Sequence, residues 1–209
     1  IATLWGTAKI PSLSGTAFAA WQYSKNVDLN WKFLIYIAFI AFSGAWFGAY
    51  SITLIDNQVI KPFILIVLIL VATYTYFHKN FGFHQEKDHS LLQKLLIGFL
   101  FGLYIGFYDG LIGPGTGTFL ILAFVALLGN DFLHASANAK LINMATNMAA
   151  ILYLGSTGHI LYEFAIPMAF CNVGGSYMGT RLALLKGNRF IRLFFLLVVF
   201  GTILRFAWD

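Results

Sequence analysis

The sequence predicts an all-α integral membrane protein, a polytopic helical bundle of two homologous repeats offset by 131 residues, with interrupted helices near Lys9 and Gly113. Three observations lead there. Of 209 residues, 59% are hydrophobic and 10% charged, with a mean hydropathy of +0.78, whereas a soluble domain is about one quarter charged. Several apolar runs approach or exceed the roughly 20 residues a helix needs to cross about 30 Å of hydrocarbon. A shift of 131 residues lays the second half on the first without a gap.

The first repeat spans residues 1–77. Ala2 to Tyr23 is apolar but holds Lys9, Pro11, Ser12, Ser14, Gly15 and Thr16 near its middle, which predicts an interrupted helix facing protein. Lys25 to Lys32 is a short polar connection. Phe33 to Leu54 reads as a spanning helix in which Gly44 and Gly48 lie four apart, the spacing that lets two helix backbones approach closely. After Asp56-Asn57-Gln58 a helix is predicted from Val59 to Phe77, Pro62 being tolerable in its first turn. Residues 78–94 form the one long polar stretch, a linker that divides the chain.

The second repeat spans residues 95–209. Leu95 to Tyr108 is a helix, Gly113-Pro114-Gly115-Thr116-Gly117 breaks the run, and Thr118 to Leu128 resumes it before a turn at Gly129-Asn130-Asp131. Ala135 to Leu154 carries Lys140. Phe164 to Leu184 is a spanning helix with Gly175 and Gly179 four apart, Lys186 to Arg189 is a loop, and Ile191 to Phe206 closes the chain.

The shift sets Lys9 on Lys140, Gly44 on Gly175, Gly48 on Gly179 and Asn57 on Asn188. Apolar coincidences arise by chance in such a chain; these pairs do not. The counterpart of Gly106 to Gly117 would lie before Ile1, so the first repeat is expected to lack its N-terminal helix and glycine loop, roughly 40 to 50 residues on the pattern of the second repeat. The chain opens on Ile1, shows no signal peptide, and reads as part of a longer product. The loop around Asp56 and Lys61 is nearly neutral, while its partner holds Arg181, Lys186, Arg189 and Arg192. Positive charge marks the inner side of a membrane, so equivalent loops of different charge favour inverted-topology repeats. That arrangement needs an odd number of crossings per half, with Thr118 to Leu154 forming either a re-entrant hairpin or two further crossings.

Other classes of function find little support. The single Cys171, in an apolar run, excludes an internal disulfide and reads as a packing residue. A net charge of +5 falls mostly in loops and at helix ends, with no nucleic-acid footprint. His78, His84 and His89 lack metal-ligand spacing, and no hydrolase, zinc or phosphate-loop motif occurs. Trp5, Trp21, Trp31, Trp46 and Trp208 include expected interface anchors. No cofactor is expected.

Chemistry concentrates between Gly106 and Asn147. A lysine near the middle of a membrane helix costs about 2.5 to 3.5 kcal/mol on insertion scales, and such residues face the protein interior or a water-filled cavity. Snorkelling, a structural ion pair with Asp109, or a misplaced helix boundary would each account for the lysines without a function. The polar neighbours favour a site. Residues three, four and seven apart share a helix face, so Lys140 lies with Asn143 and Asn147, and Lys9 with Ser12 and Thr16. A lysine supplies charge for an anion, and amides or hydroxyls orient it. Gly113, Gly115 and Gly117 leave backbone N–H groups unshielded, Thr116 or Thr118 is expected to cap the next helix, and such helix starts attract anions. Broken helices at membrane depth are also how transporters build sites, although a glycine-proline kink alone can simply ease packing. Asp109 either couples transport to protons, neutralises a lysine, or caps a helix.

The stretches GFYDGLIGPGTGTF, HASANAKLINMATN and GGSYMGTRLALLKGNRFIR, with GTAKIPSLSGTAFAAWQY in the first half, resemble the TauE/SafE family of sulfite exporter-like permeases, and in particular its YfcA-like members. The resemblance covers essentially the whole chain. It implies a multi-pass transporter of the bacterial inner membrane with two homologous halves, in a family linked to sulfite, sulfonates and related organic anions. It also implies eight transmembrane segments, four per half, which would make the repeats parallel and not inverted. The residues by themselves point to transport of a small anion by alternating access, with the lipid bilayer, the anion and protons as partners. An uncoupled anion channel and, further off, an intramembrane enzyme are the alternatives.

Overall fold

A computed structural model of the chain describes residues 2–54 and 89–208. All the regular structure among these residues is helical: α1 (Ala2–Ser24), α2 (Trp31–Ile52), α3 (Leu91–Leu111), α4 (Thr116–Leu128), α5 (Phe132–Ser156) and α6 (Tyr162–Trp208). The helix predicted from Val59 to Phe77, and the loop before it, lie outside the described residues.

Length and polarity sort these helices. The segments of α2 and α3 are long and apolar enough to cross a membrane. Helices α1 and α5 are as long, at 23 and 25 residues, but less apolar because they carry Lys9 and Lys140. At 13 residues, α4 rises about 20 Å, short of the roughly 30 Å of hydrocarbon. The glycine loop is therefore followed by a short helix and then a full-length one, not by two full crossings.

Local signals fix the ends. Ser90 and Gln93 form a reciprocal capping box at the start of α3, so this helix begins inside the stretch read as a polar linker. The Asp131 carboxylate accepts from His134 N at 2.9 Å and pairs with the His134 ring, starting α5. Leu133 N there donates to Asn188 Oδ1 at 2.8 Å. The loop predicted from Lys186 to Arg189 shrinks to one non-helical residue within α6, Gly187, whose φ of 66° and ψ of −161° kink the helix.

The predicted interruption near Lys9 is corrected: α1 runs unbroken through Pro11. Proline removes a single backbone donor. The hydroxyls of Thr7, Ser14 and Thr16 add bonds to carbonyls one turn back, at Thr3, Ile10 and Ser12. Packing against α5 and α6 then holds the helix in place.

Helix α5 is the centre of the bundle, touching α1, α2, α4 and, less closely, α3 and α6. The main core joins Ile37, Phe101, Leu120, Phe124, Phe132 and Ile142, all buried. The closest approach is that of α2 to α3. Side chains at Gly44 or Gly48 would strike the Leu103 and Phe107 carbonyls, and those at Gly106 or Gly110 the Ala41 and Ala45 carbonyls. Gly175 and Gly179 on α6, read from sequence as packing residues, have no atom within 4 Å of the side chain they lack. Gly48→Leu is therefore expected to destabilise this chain by about 1 to 3 kcal/mol through overpacking. Gly179→Leu should fall within about 0.5 kcal/mol of wild type. Thermal unfolding of both variants in detergent checks the contrast.

Candidate functional site

Asp109 lies in the last turn of α3, where four helix carbonyls lack intrahelical partners. Lys9, seven residues into α1, reaches it. Its Nζ stands 2.8 Å from Asp109 Oδ1 and donates to the Asp109 carbonyl at 2.6 Å, with both side chains buried. One ammonium thus meets a carboxylate and the negative end of a helix together. Asp109 Oδ2 is buried without a hydrogen-bond partner.

The chain then turns through Ile112 to Gly115. Gly113 and Gly115 take φ of 87° and 85°, a region that glycine enters without strain. The turn is pinned by Tyr108 Oη donating to the Pro114 carbonyl at 2.7 Å and Thr116 Oγ1 donating to the Gly113 carbonyl at 2.7 Å. Helix α4 starts here, with Gly115 as its N-cap and no side-chain cap. The predicted cap by Thr116 or Thr118 is corrected on that point: the Thr116 hydroxyl spends its proton on the loop behind it. The acceptors one turn back are already engaged, so Gly117 N–H and Thr118 N–H have no acceptor among the described residues.

Facing this helix start is a cavity of about 380 Å³. From α1 it is lined by Lys9, Ser12 and Thr16, from the glycine turn and α4 by Gly113, Gly115, Thr116 and Gly117, and from α5 by Lys140, Asn143 and Asn147. Asp109 completes the set. All the residues singled out for anion binding or proton coupling therefore border one space. A second cavity, of about 640 Å³, shares Gly117, Lys140 and Asn143 with the first and extends along α6 past Gly175 and Gly179.

Not every expected donor is free. Thr16 Oγ1 donates to the Ser12 carbonyl at 2.8 Å, so its oxygen meets the cavity without a proton to give. Asn147 turns its amide donors on Asn143, reaching the Asn143 carbonyl at 2.7 Å and Oδ1 at 3.1 Å. That pairing leaves the Asn143 amide nitrogen and the Ser12 hydroxyl available. Lys140 has neither an ion pair nor a hydrogen bond among the described residues. Two lysines and one ionised carboxylate leave the cavity one net positive charge, carried on the Lys140 side.

Sequence reasoning missed three lining residues, Trp5, Asn172 and Ser176. Asn172 and Ser176 lie four apart on one face of α6, a spacing that was available to read. Their partners at a shift of 131 are Ala41 and Ala45, so the comparison of halves gave no polar match there. Trp5 Nε1 is buried with no hydrogen-bond partner.

Comparison with known proteins decides the family. The sequence profile described as Sulfite exporter TauE/SafE matches residues 1–206. The chain belongs to the TauE/SafE family. This TauE/SafE protein is 30% identical to the probable membrane transporter protein ORF9 of Sinorhizobium sp over 204 residues, 98% of this chain and 77% of that relative. It is 28% identical to a probable membrane transporter protein of Haemophilus influenzae, over 98% of this chain and 79% of that one. The probable membrane transporter protein YfcA of Escherichia coli is 31% identical over 153 residues, 73% of this chain and 56% of YfcA. No solved structure matches. The protein is a helical membrane protein of a transporter family, not an enzyme.

Removing one partner of a buried ion pair strands the other charge, at a cost of about 3 to 5 kcal/mol, whereas replacing both by apolar groups can be neutral. Asp109→Leu should therefore unfold at markedly lower temperature in detergent. Lys9→Met combined with Asp109→Leu should recover most of the loss, and a double-mutant cycle measures the coupling.

Proposed function

We propose that this TauE/SafE protein is a multi-pass permease of the bacterial inner membrane that moves a small anion, a sulfur oxyanion or organosulfonate, by alternating access. One observation carries the reading. Lys140, without a counter-charge, and the free N–H groups at the start of α4 border the same cavity. A fixed ammonium and a helix N-terminus both stabilise negative charge, and each is stronger where water is scarce. In this reading Asn143 orients the anion from α5, and Ser12, Asn172 and Ser176 supply hydroxyl and amide contacts from α1 and α6.

Asp109 is the coupling group in this scheme. While ionised it occupies Lys9. Protonation would release the Lys9 ammonium to the cavity and raise its net charge from one positive to two, so that anion and proton enter together. The unpartnered Asp109 Oδ2 is where that proton would sit.

The two-repeat organisation supports moving halves. Shifted by 131 residues, α1 falls on residues 133–155, against Phe132–Ser156 for α5, and α2 falls on residues 162–183, at the start of α6. α1 packs on α6 as α5 packs on α2, and α1 meets α5 directly. The site then lies at the contact between halves, where an inverted-repeat carrier alternates its access.

Flux into liposomes by the natural full-length polypeptide tests this, comparing sulfite, sulfate, an organosulfonate and acetate with and without a proton gradient. Lys140→Gln should insert normally yet lose anion flux on the order of 100-fold, equivalent to about 2.8 kcal/mol of anion stabilisation. Undiminished flux in that variant would make the lysine structural. Flux indifferent to every counter-gradient would make the protein a channel.

A further inference from the structure

Helix α2 and the first part of α6 are repeat partners with different surroundings. On the outward face they agree: Phe39 is 74% exposed and Phe170, its partner, 77%, while Phe47 and Met178 are 62% and 66% exposed. On the face that α3 covers in α2 they disagree. Ile37 is fully buried and Met168 is 51% exposed. Ile40, Gly44 and Gly48 are buried, whereas Cys171, Gly175 and Gly179 are exposed. The difference is confined to the positions where Gly98, Gly102, Gly106 and Gly110 of α3 press on α2.

A small-residue face of this kind stabilises a membrane protein only when another helix lies in it, because lipid gains nothing from the close approach. A second feature points the same way. Ser136 Oγ is buried without a hydrogen-bond partner and borders the cavity that Gly175 and Gly179 also line. An orphan hydroxyl in a low-dielectric interior calls for a partner group.

We propose that the Met168, Cys171, Gly175 and Gly179 face of α6 is the seat of a transmembrane helix of α3's kind, small residues four apart, supplied by the same polypeptide upstream of α1. The inference rests on the repeat relation set out above, not on the identity of the anion. A shift of 131 residues puts the counterpart of α3 ahead of α1 in sequence, and relatives that match 98% of this chain keep roughly a fifth of their own length outside the match. Such a helix would lie on α6 as α3 lies on α2, and close the larger cavity on that side.

Cys171 is the single cysteine in these 209 residues and lies within the proposed contact, which makes thiol labelling the test. The natural full-length polypeptide, with any cysteine outside this region replaced by serine, is labelled with N-ethylmaleimide in detergent. Cys171 should react at least tenfold more slowly than the thiol of Met178→Cys on a Cys171→Ser background, since Met178 lies on the face that stays outward in both repeats. Gly175→Leu with Gly179→Leu, which would hold the incoming helix away, should bring Cys171 up to the faster rate. Equal rates in the unmodified protein would overturn the proposal, as would protection that survives both leucines. Protection lost on dilution to monomers would assign the face to a second copy and overturn it too. Labelling is independent of anion flux, so loss of this contact and loss of the Lys140 site would be told apart.

Discussion

An ammonium inside a membrane bundle must find a counter-charge or water, and the way Lys9 meets that demand organises the centre of this protein. Its partner is 100 residues away in sequence, at the C-terminal end of α3. There it binds both the Asp109 carboxylate and the Asp109 carbonyl, a charge and the end of a helix dipole in one contact. The contact fixes where α3 stops. It also holds Gly113 against the Lys9 ammonium, where no larger residue would fit without crowding Nζ. From that point the chain can only turn back through two left-handed glycines, and α4 begins with its free amide groups facing the cavity. The pair therefore places the anion-attracting end of α4 without itself adding net charge to the space in front of it.

The second lysine is left in the opposite condition. Lys140 occupies the same position in α5 that Lys9 occupies in α1, yet no carboxylate reaches it among the described residues. The glycine pairs show the same imbalance, Gly44 and Gly48 covered by α3 and Gly175 and Gly179 bare. Both differences follow from a single cause, the presence of α3 and its loop beside one helix pair and their absence from the other. Similar sequences thus hold different chemistry: a neutral ion pair on one side of the cavity and an unpaired cation on the other.

Side-chain donors are also fewer than polar residues. Hydroxyls on membrane helices bond readily to carbonyls one turn back, and Thr7, Ser14 and Thr16 all do so. The same bonds keep α1 straight through Pro11. What reinforces the helix is thereby withdrawn from the site, and orientation of an anion falls to Ser12, Asn143 and the α6 pair Asn172 and Ser176.

Composition, apolar run length and helical spacing were enough to determine the membrane character, the position of every described helix to within a few residues, and the shared face of Lys140, Asn143 and Asn147, because these depend only on neighbours along the chain. The glycine and proline run at 113–117 likewise announced its own turn. Local pattern misjudged Pro11, since whether a lost backbone bond breaks a helix depends on what packs around it. It shortened α3 by reading residues 91–94 as linker, and it assigned Thr116 as a cap when the hydroxyl turns back to the loop. Only the tertiary structure decided that Asp109 belongs to Lys9 and not to Lys140, that Asn172 and Ser176 join the cavity, and that one glycine pair is filled while the other is open. Those outcomes rest on contacts between helices far apart in sequence, and the charge balance of a buried site is the sum of such contacts.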